Sequence, residues 1–223
     1  MFQNKAYIVG VGPGSPRYLT REAERVIREA NIVVGWEFDL LPAKSLTRGK
    51  KVYLQDVNNY IQVAEEAADE AKKKGETVVV LRIGDPCISS GLAGLLRVFH
   101  DFEVKIVPGI SSIQLAAATA QINIDESIII SFHDGGEDLK EKRRLMLDAF
   151  GRNRHLIILT GPDQKPDETA SYLIKNGISE TTLALVCENL TLGDEKIFRG
   201  ALREVVARQF SWLSVMVIKQ GDS

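Results

Sequence analysis

The chain reads as an α/β protein in two halves, with a parallel sheet in the first and a mixed sheet in the second. Three observations carry that reading. Short apolar, β-branched runs recur through residues 1–112 with helical segments between them, the pattern of parallel strands joined by crossover helices. Two of these runs, 78–81 and 104–107, stop on tight polar turns, Gly84-Asp85-Pro86 and Pro108-Gly109-Ile110-Ser111-Ser112. In an open parallel sheet such turns lie side by side at the carboxyl edge, where ligands bind. In the second half, the run 182–187 and the segment 197–200 flank the turn Thr191-Leu192-Gly193-Asp194-Glu195, and strands joined by a turn point to a mixed sheet.

The first strand covers residues 6–11. Thr20 then opens a helix as its N-cap, with Glu22 and Glu24 in the first turn, where carboxylates oppose the positive end of the helix dipole. Strands follow at 32–34, 51–54 and 77–83. The helix 60–74 carries Ile61, Ala64, Ala68 and Ala71 on one stripe, turns Glu65, Glu66, Glu70 and Lys72 to Lys74 outward, and stops at Gly75. A helix at 91–99 leads to the strand 104–107. Ser112 begins an alanine-rich helix, 113–120, whose small side chains admit close packing, and the domain boundary is set there: an N-terminal α/β domain, 1–112, and a C-terminal mixed-sheet domain, 113–223. The second half supplies strands at 127–132, 155–160, 182–187 and 213–219, a short one at 197–200, and helices near 139–150, 165–176 and 201–208. No long linker separates the halves, so a shared interface with a ligand cleft between them is expected.

With 223 residues, 44% of them hydrophobic, the chain can bury a sizeable core or two smaller ones. Lys and Arg number 28 against 30 Asp and Glu, a net charge of -2 with no block of one sign, which offers no bulk surface for nucleic acid or membrane. Cys87 and Cys187 stand far apart without metal-ligand spacing, so neither a disulfide nor a metal site is implied, and a reduced cytoplasmic protein is the default. The apolar run at the N-terminus is too short for a signal peptide, and none approaches the ~18 residues of a membrane span.

Gly10-Val11-Gly12-Pro13-Gly14 follows the first strand, yet Ser15 stands where a dinucleotide fingerprint needs glycine and Pro13 lacks an N–H. A turn that merely admits a close neighbour and a ligand loop both stay open there. Asp85, at the end of a central strand, needs hydrogen-bond partners or a cationic ligand. It reads either as a cap for the next turn or as a ligand group. Its place beside Ser111 and Ser112 favours the second, so Asp85→Asn is expected to weaken ligand binding with little effect on stability. Ser112 as a helix N-cap does not exclude binding. Cys87 has none of His100, His133 and His155 near it in sequence, which argues against a catalytic thiolate. His133 ends a strand, either as a general base or as polar surface. Glu188-Asn189-Leu190-Thr191 is a site edge or a simple turn.

Three motifs, Ile8-Val9-Gly10-Val11-Gly12-Pro13-Gly14 with Leu19-Thr20, Leu81-Arg82-Ile83-Gly84-Asp85-Pro86 and Val107-Pro108-Gly109-Ile110-Ser111-Ser112, resemble in order and spacing the tetrapyrrole methylases that use S-adenosylmethionine. Val33-Val34-Gly35, Ser131-Phe132-His133, Leu159-Thr160-Gly161-Pro162-Asp163 and Cys187-Glu188-Asn189-Leu190 are most similar to the subgroup that methylates carbon 5 of cobalt-precorrin-7 in cobalamin synthesis. The resemblance implies the class III methyltransferase fold, two α/β domains with the cofactor in a cleft between them, and a homodimer. It implies cofactor contacts from Pro13, Ile83, Gly84, Asp85, Ile88, Ser111, Ser112, Thr160 and Leu190, with S-adenosylhomocysteine as product and His133 as the candidate base. The substrate's carboxylates would meet arginines such as Arg82, Arg143 and Arg144, although the last two also read as a solvated helix face. A separate decarboxylating carbon-15 methyltransferase is the expected pathway partner. Another precorrin, uroporphyrinogen or a diphthamide precursor as acceptor, and a non-catalytic nucleotide-binding module, are the alternatives.

Overall fold

The computed structural model describes residues 4–88, 91–133 and 138–221. The chain divides between Ser111 and Ser112 into two compact units, each with its own sheet. The first unit contains β1 (Lys5–Gly10), α1 (Arg21–Glu29), β2 (Ile32–Gly35), α2 (Glu37–Leu40), β3 (Lys51–Leu54), α3 (Tyr60–Lys74), β4 (Val78–Arg82), α4 (Leu92–Val98) and β5 (Glu103–Val107). Its strands run parallel in the order β3-β2-β4-β1-β5. All five residues of β4 are buried, because helices cover the central strands on both faces. Ile8, Val34, Val78 and Val80 pack with Ala64, Ala67, Ala68 and Ala71 of α3 and Leu95 of α4. Val9, Val33, Val79 and Leu81 face the other way, onto Ala23, Val26 and Ile27 of α1. The Thr20 side chain accepts the Ala23 N–H at 3.1 Å and so starts α1.

The second unit contains α5 (Ser112–Ala120), β6 (Ser127–Ser131), α6 (Leu139–Gly151), β7 (His155–Leu159), α7 (Pro166–Lys175), β8 (Leu183–Glu188), β9 (Lys196–Ala201), α8 (Leu202–Val206) and β10 (Ser214–Ile218). The strand order is β6-β7-β10-β8-β9, with β6 parallel to β7 and the other neighbours antiparallel. Ile113, Ala116, Ala117 and Ala120 are the buried residues of α5, which packs on β7 and β10. Two elements differ from the sequence pattern. The segment expected as a short strand at 197–200 is a six-residue strand, β9, paired with β8 from Leu183↔Ala201 to Glu188↔Lys196. The one-turn helix α2 stands where no element was expected. No helix among the described residues is long and apolar enough to cross a membrane.

The edge strand β3 is tied to α3 by one carboxylate. Glu70 accepts hydrogen bonds from Lys51, Tyr53 and Lys74. These donors, Lys51 first, hold its carboxyl at about 2 instead of the ordinary 4.5. A depressed carboxylate contributes stability that is complete above its unfolded value and disappears as pH falls through its folded one. The melting temperatures of the wild type and of Glu70→Gln should therefore differ most above pH 4.5 and converge as the pH is lowered toward about 2. A gap that persists unchanged to the acid limit would show that the charge is not what ties β3 down.

Candidate functional site

The carboxyl ends of β1, β4 and β5 share one edge of the first sheet, and their turns meet backbone to backbone. Gly84 N–H donates to the Gly12 carbonyl at 2.7 Å, and Gly12 N–H donates back to the Gly84 carbonyl at 3.3 Å. A Cβ on Gly109 would lie 2.1 Å from the Gly84 carbonyl oxygen, and one on Gly10 would lie 2.5 Å from the same atom. Only glycine admits these approaches. The Asp85 carboxylate closes the arrangement, with Oδ2 accepting the Gly109 N–H at 3.0 Å and Oδ1 accepting the Cys87 N–H at 2.7 Å.

Of the sequence-predicted residues, Pro13, Ile83, Gly84, Asp85 and Ser111 are therefore gathered on adjoining turns of one edge. Ile83 is 43% exposed, directly after a strand whose five residues are all buried, while Ser111 is buried. Ile88 belongs to the same turn as Asp85, its N–H donating to the Asp85 carbonyl at 3.1 Å. Cys87 makes a poor nucleophile here, because burial and then the neighbouring Asp85 push its thiol upward. Ser112 is the first residue of α5 rather than the residue before the helix.

In the second unit, Thr160 is fully buried. Its hydroxyl lies 2.6 Å from the Trp212 carbonyl and 3.0 Å from that of Ser214, and accepts the Ser214 N–H at 3.2 Å. The side chain implied as a cofactor contact thus braces the start of β10. Leu190 is also buried. His133 follows β6, and its ring meets that of Trp212 edge to face at 6.4 Å. The run Asp134-Gly135-Gly136 beyond it lies outside the described residues. No group of three or more His, Cys, Asp and Glu side chains that could hold a metal occurs among the described residues.

Arg82 departs from its expected part. It is 6% exposed and donates to the Gln55 side chain at 2.9 Å, the Leu81 carbonyl at 2.8 Å and Asp39 Oδ2 at 3.4 Å, with the Tyr60 ring 6.0 Å away. Both faces of β4 are covered, and the strand's period puts Arg82 on the face of Val78 and Val80. Arg143 is likewise engaged, donating to Gln164 at 2.7 Å over the Tyr172 ring, whereas the Arg144 side chain is 82% exposed beside Asp148. Asp39 was not singled out from the sequence. Its available signal was a carboxylate three residues after Trp36, whose N–H it accepts at 3.0 Å to open α2.

Because Asp85 holds two amides, Asp85→Asn should lower stability as well as ligand affinity, contrary to the sequence-based expectation. The loss should be about 1–3 kcal/mol, since an Asn side chain cannot accept with both of its terminal atoms. Chemical denaturation measures it, and an unchanged midpoint would refute the two-amide role. Gly109→Ala should cost about 1–3 kcal/mol or more by forcing the turns apart. Ligand affinity should fall with it. A fully stable alanine variant would mean that the turns yield without cost.

A sequence model of the tetrapyrrole (corrin/porphyrin) methylases matches residues 5–206. A Methanocaldococcus jannaschii protein described as a probable cobalt-precorrin-7 C(5)-methyltransferase is 36% identical over 97% of this chain and 98% of its own. The S-adenosyl-L-methionine-dependent uroporphyrinogen III methyltransferase of Methanosarcina barkeri is 28% identical over 91% of this chain and 84% of its own. Among solved structures, the uroporphyrin-III C-methyltransferase from Thermus thermophilus complexed with S-adenyl homocysteine superposes with a TM-score of 0.73 at 22% identity. That likeness, over 96% of this chain and 92% of the other, is one of fold. Taken with the two α/β units and the glycine turns at the edge of the first sheet, the match across residues 5–206 means that the chain belongs to the tetrapyrrole methylases.

Proposed function

We propose that this chain transfers a methyl group from S-adenosylmethionine to carbon 5 of cobalt-precorrin-7, a step of corrin synthesis. The observation that carries this reading is the 36% identity, nearly end to end, to a relative described by that reaction. Three features of the first sheet's edge support it as the place for the methyl donor. Glycine turns present backbone instead of side chains, Ile83 offers exposed apolar surface, and the Asp85 carboxylate beside it suits a ligand that carries cationic groups.

S-adenosylmethionine, when bound, supplies a methyl on a sulfonium, already activated for in-line displacement. The chain's own part is then mainly to hold and align. Pro13, Ile83, Gly84, Asp85, Ile88, Ser111, Ser112, Thr160 and Leu190 are the proposed cofactor contacts. Alignment of this kind contributes ~7–11 kcal/mol in well-oriented cases, so no covalent nucleophile is needed. His133 is the proposed base for the proton released from the ring. Decarboxylation and methylation at carbon 15 are assigned to a separate protein, in keeping with the C(5) relative, of which this chain spans 98%. A homodimer completes the proposal.

S-adenosylhomocysteine should raise the melting temperature, by linkage worth ~2.7 kcal/mol at a hundredfold excess over its Kd, and NAD and ATP should not. Incubation with cobalt-precorrin-7 and S-adenosylmethionine should add the mass of one methyl. Stabilisation by NAD and not by S-adenosylhomocysteine would overturn the cofactor, and a second methyl or loss of carbon dioxide would overturn the single transfer.

A further inference from the structure

The turn that carries Ile83 and Gly84 is held from outside by a buried ion pair. Asp39, from the one-turn helix α2, is 4% exposed, and its Oδ1 accepts the Ile83 N–H at 2.7 Å. Oδ2 accepts the Trp36 N–H at 3.0 Å and faces Arg82 at 3.4 Å. Arg82 is fixed in turn by Gln55, whose side chain donates to the Tyr60 carbonyl and whose N–H donates to the Gly35 carbonyl at 3.0 Å. The ends of β2, β3 and β4 and the start of α3 are thus joined to a single amide, that of Ile83.

An ion pair in this position is a poor way merely to stabilise a fold. Taking both charges out of water costs several kcal/mol per ion, and apolar residues of similar volume often do as well. Burial pushes the Asp39 carboxyl upward, with Arg82 and the two amides opposing the rise, and burial pulls Arg82 downward. What a hydrophobic pair cannot supply is an acceptor for a backbone N–H at the point where a buried strand emerges at the surface. Ile83 is that point.

We infer that Asp39 is a positioning residue for the methyl donor: by holding the Ile83 amide, it presets the Ile83-Gly84 turn before the ligand arrives. Arg82 keeps Asp39 in place as its counter-ion. This rests on the reading of that turn as part of the S-adenosylmethionine site. Preset binding residues act equally on ground and transition states, so the effect should appear in affinity for the donor and not for the tetrapyrrole.

Two neutral pairs separate the acceptor from the charge. Asp39→Asn/Arg82→Met keeps an oxygen for the Ile83 N–H and gives up the Trp36 bond, whereas Asp39→Leu/Arg82→Met removes both acceptors; Asp39→Ala/Arg82→Met serves for the second if the leucine pair does not fold. Binding of S-adenosylhomocysteine is measured by calorimetry beside the melting temperature of each unliganded protein. The asparagine pair should bind within about threefold of wild type and the acceptor-less pair at least about tenfold more weakly, near 1.4 kcal/mol, in the folded protein, with both pairs melting below wild type because each gives up at least one amide acceptor. In turnover, the acceptor-less pair should raise the KM for S-adenosylmethionine and leave that for the tetrapyrrole unchanged. Equal affinity of both pairs, with a wild type that binds, overturns this inference alone. A wild type that does not bind S-adenosylhomocysteine removes the cofactor reading and this inference with it.

Discussion

Three turns from distant parts of the sequence converge on one carbonyl oxygen, that of Gly84, and the carboxyl edge of the first sheet depends on that convergence. Strand pairing alone brings β1, β4 and β5 side by side at ordinary spacing. It does not bring the chain beyond them closer. The additional approach comes from the absence of Cβ atoms at Gly10 and Gly109 and from the left-handed backbone of Gly84, with φ +68°. That edge presents peptide groups and the few side chains between them, in positions fixed by sterics.

Carboxylates fasten the same sheet at two places, and their surroundings give them opposite characters. Asp39 is enclosed, so loss of hydration dominates and its proton affinity rises. Glu70, at the far side of the same sheet, accepts from two lysines and a tyrosine, and these hydrogen bonds, Lys51's first, outweigh its lost hydration, so its proton affinity falls. The difference lies in the balance, since lost hydration comes first at Asp39 and donated hydrogen bonds come first at Glu70. A carboxylate that addresses backbone N–H groups, as Asp39 and Asp85 do, acts on the shape of a turn, whereas one that addresses side chains, as Glu70 does, fastens an element.

Much of this was legible because chain punctuation and hydrophobic period agree. The runs ending on Gly84-Asp85-Pro86 and on Pro108-Gly109 are buried strands followed by residues that cannot continue a strand, and the strands of the first unit stand where their apolar runs are. β9 was underestimated because it is an edge strand, with Lys196 and Ile197 both exposed, so its alternation is blurred. α2 was invisible for a different reason. Four residues cannot nucleate a helix by propensity, and the turn exists through Asp39, whose partners Ile83 and Arg82 lie 44 and 43 positions away. Arg82 was misplaced because both faces of β4 are covered by helices, so its last residue is enclosed whichever way it points. The bracing of Thr160 by the Trp212 and Ser214 carbonyls has no local signature either, since 52 and 54 residues separate the partners.

The strand order of the first unit has a consequence for how the chain emerges from a ribosome. β1 is made first, but its two neighbours are β4 and β5, so Ala6 must wait for Val78 and then for Val104. At ordinary synthesis rates of about 5–20 residues per second, an interval of about 100 residues leaves an apolar strand without its full pair of neighbours for roughly 5–20 s. The second unit imposes no such delay on β8 and β9, which are joined by a short connection and pair as soon as both exist. Nascent chains halted before Val107 would therefore expose Tyr7, Ile8 and Val9 to chaperones, and the Gly84 carbonyl would gain its second neighbour only after β5 had been added to the sheet.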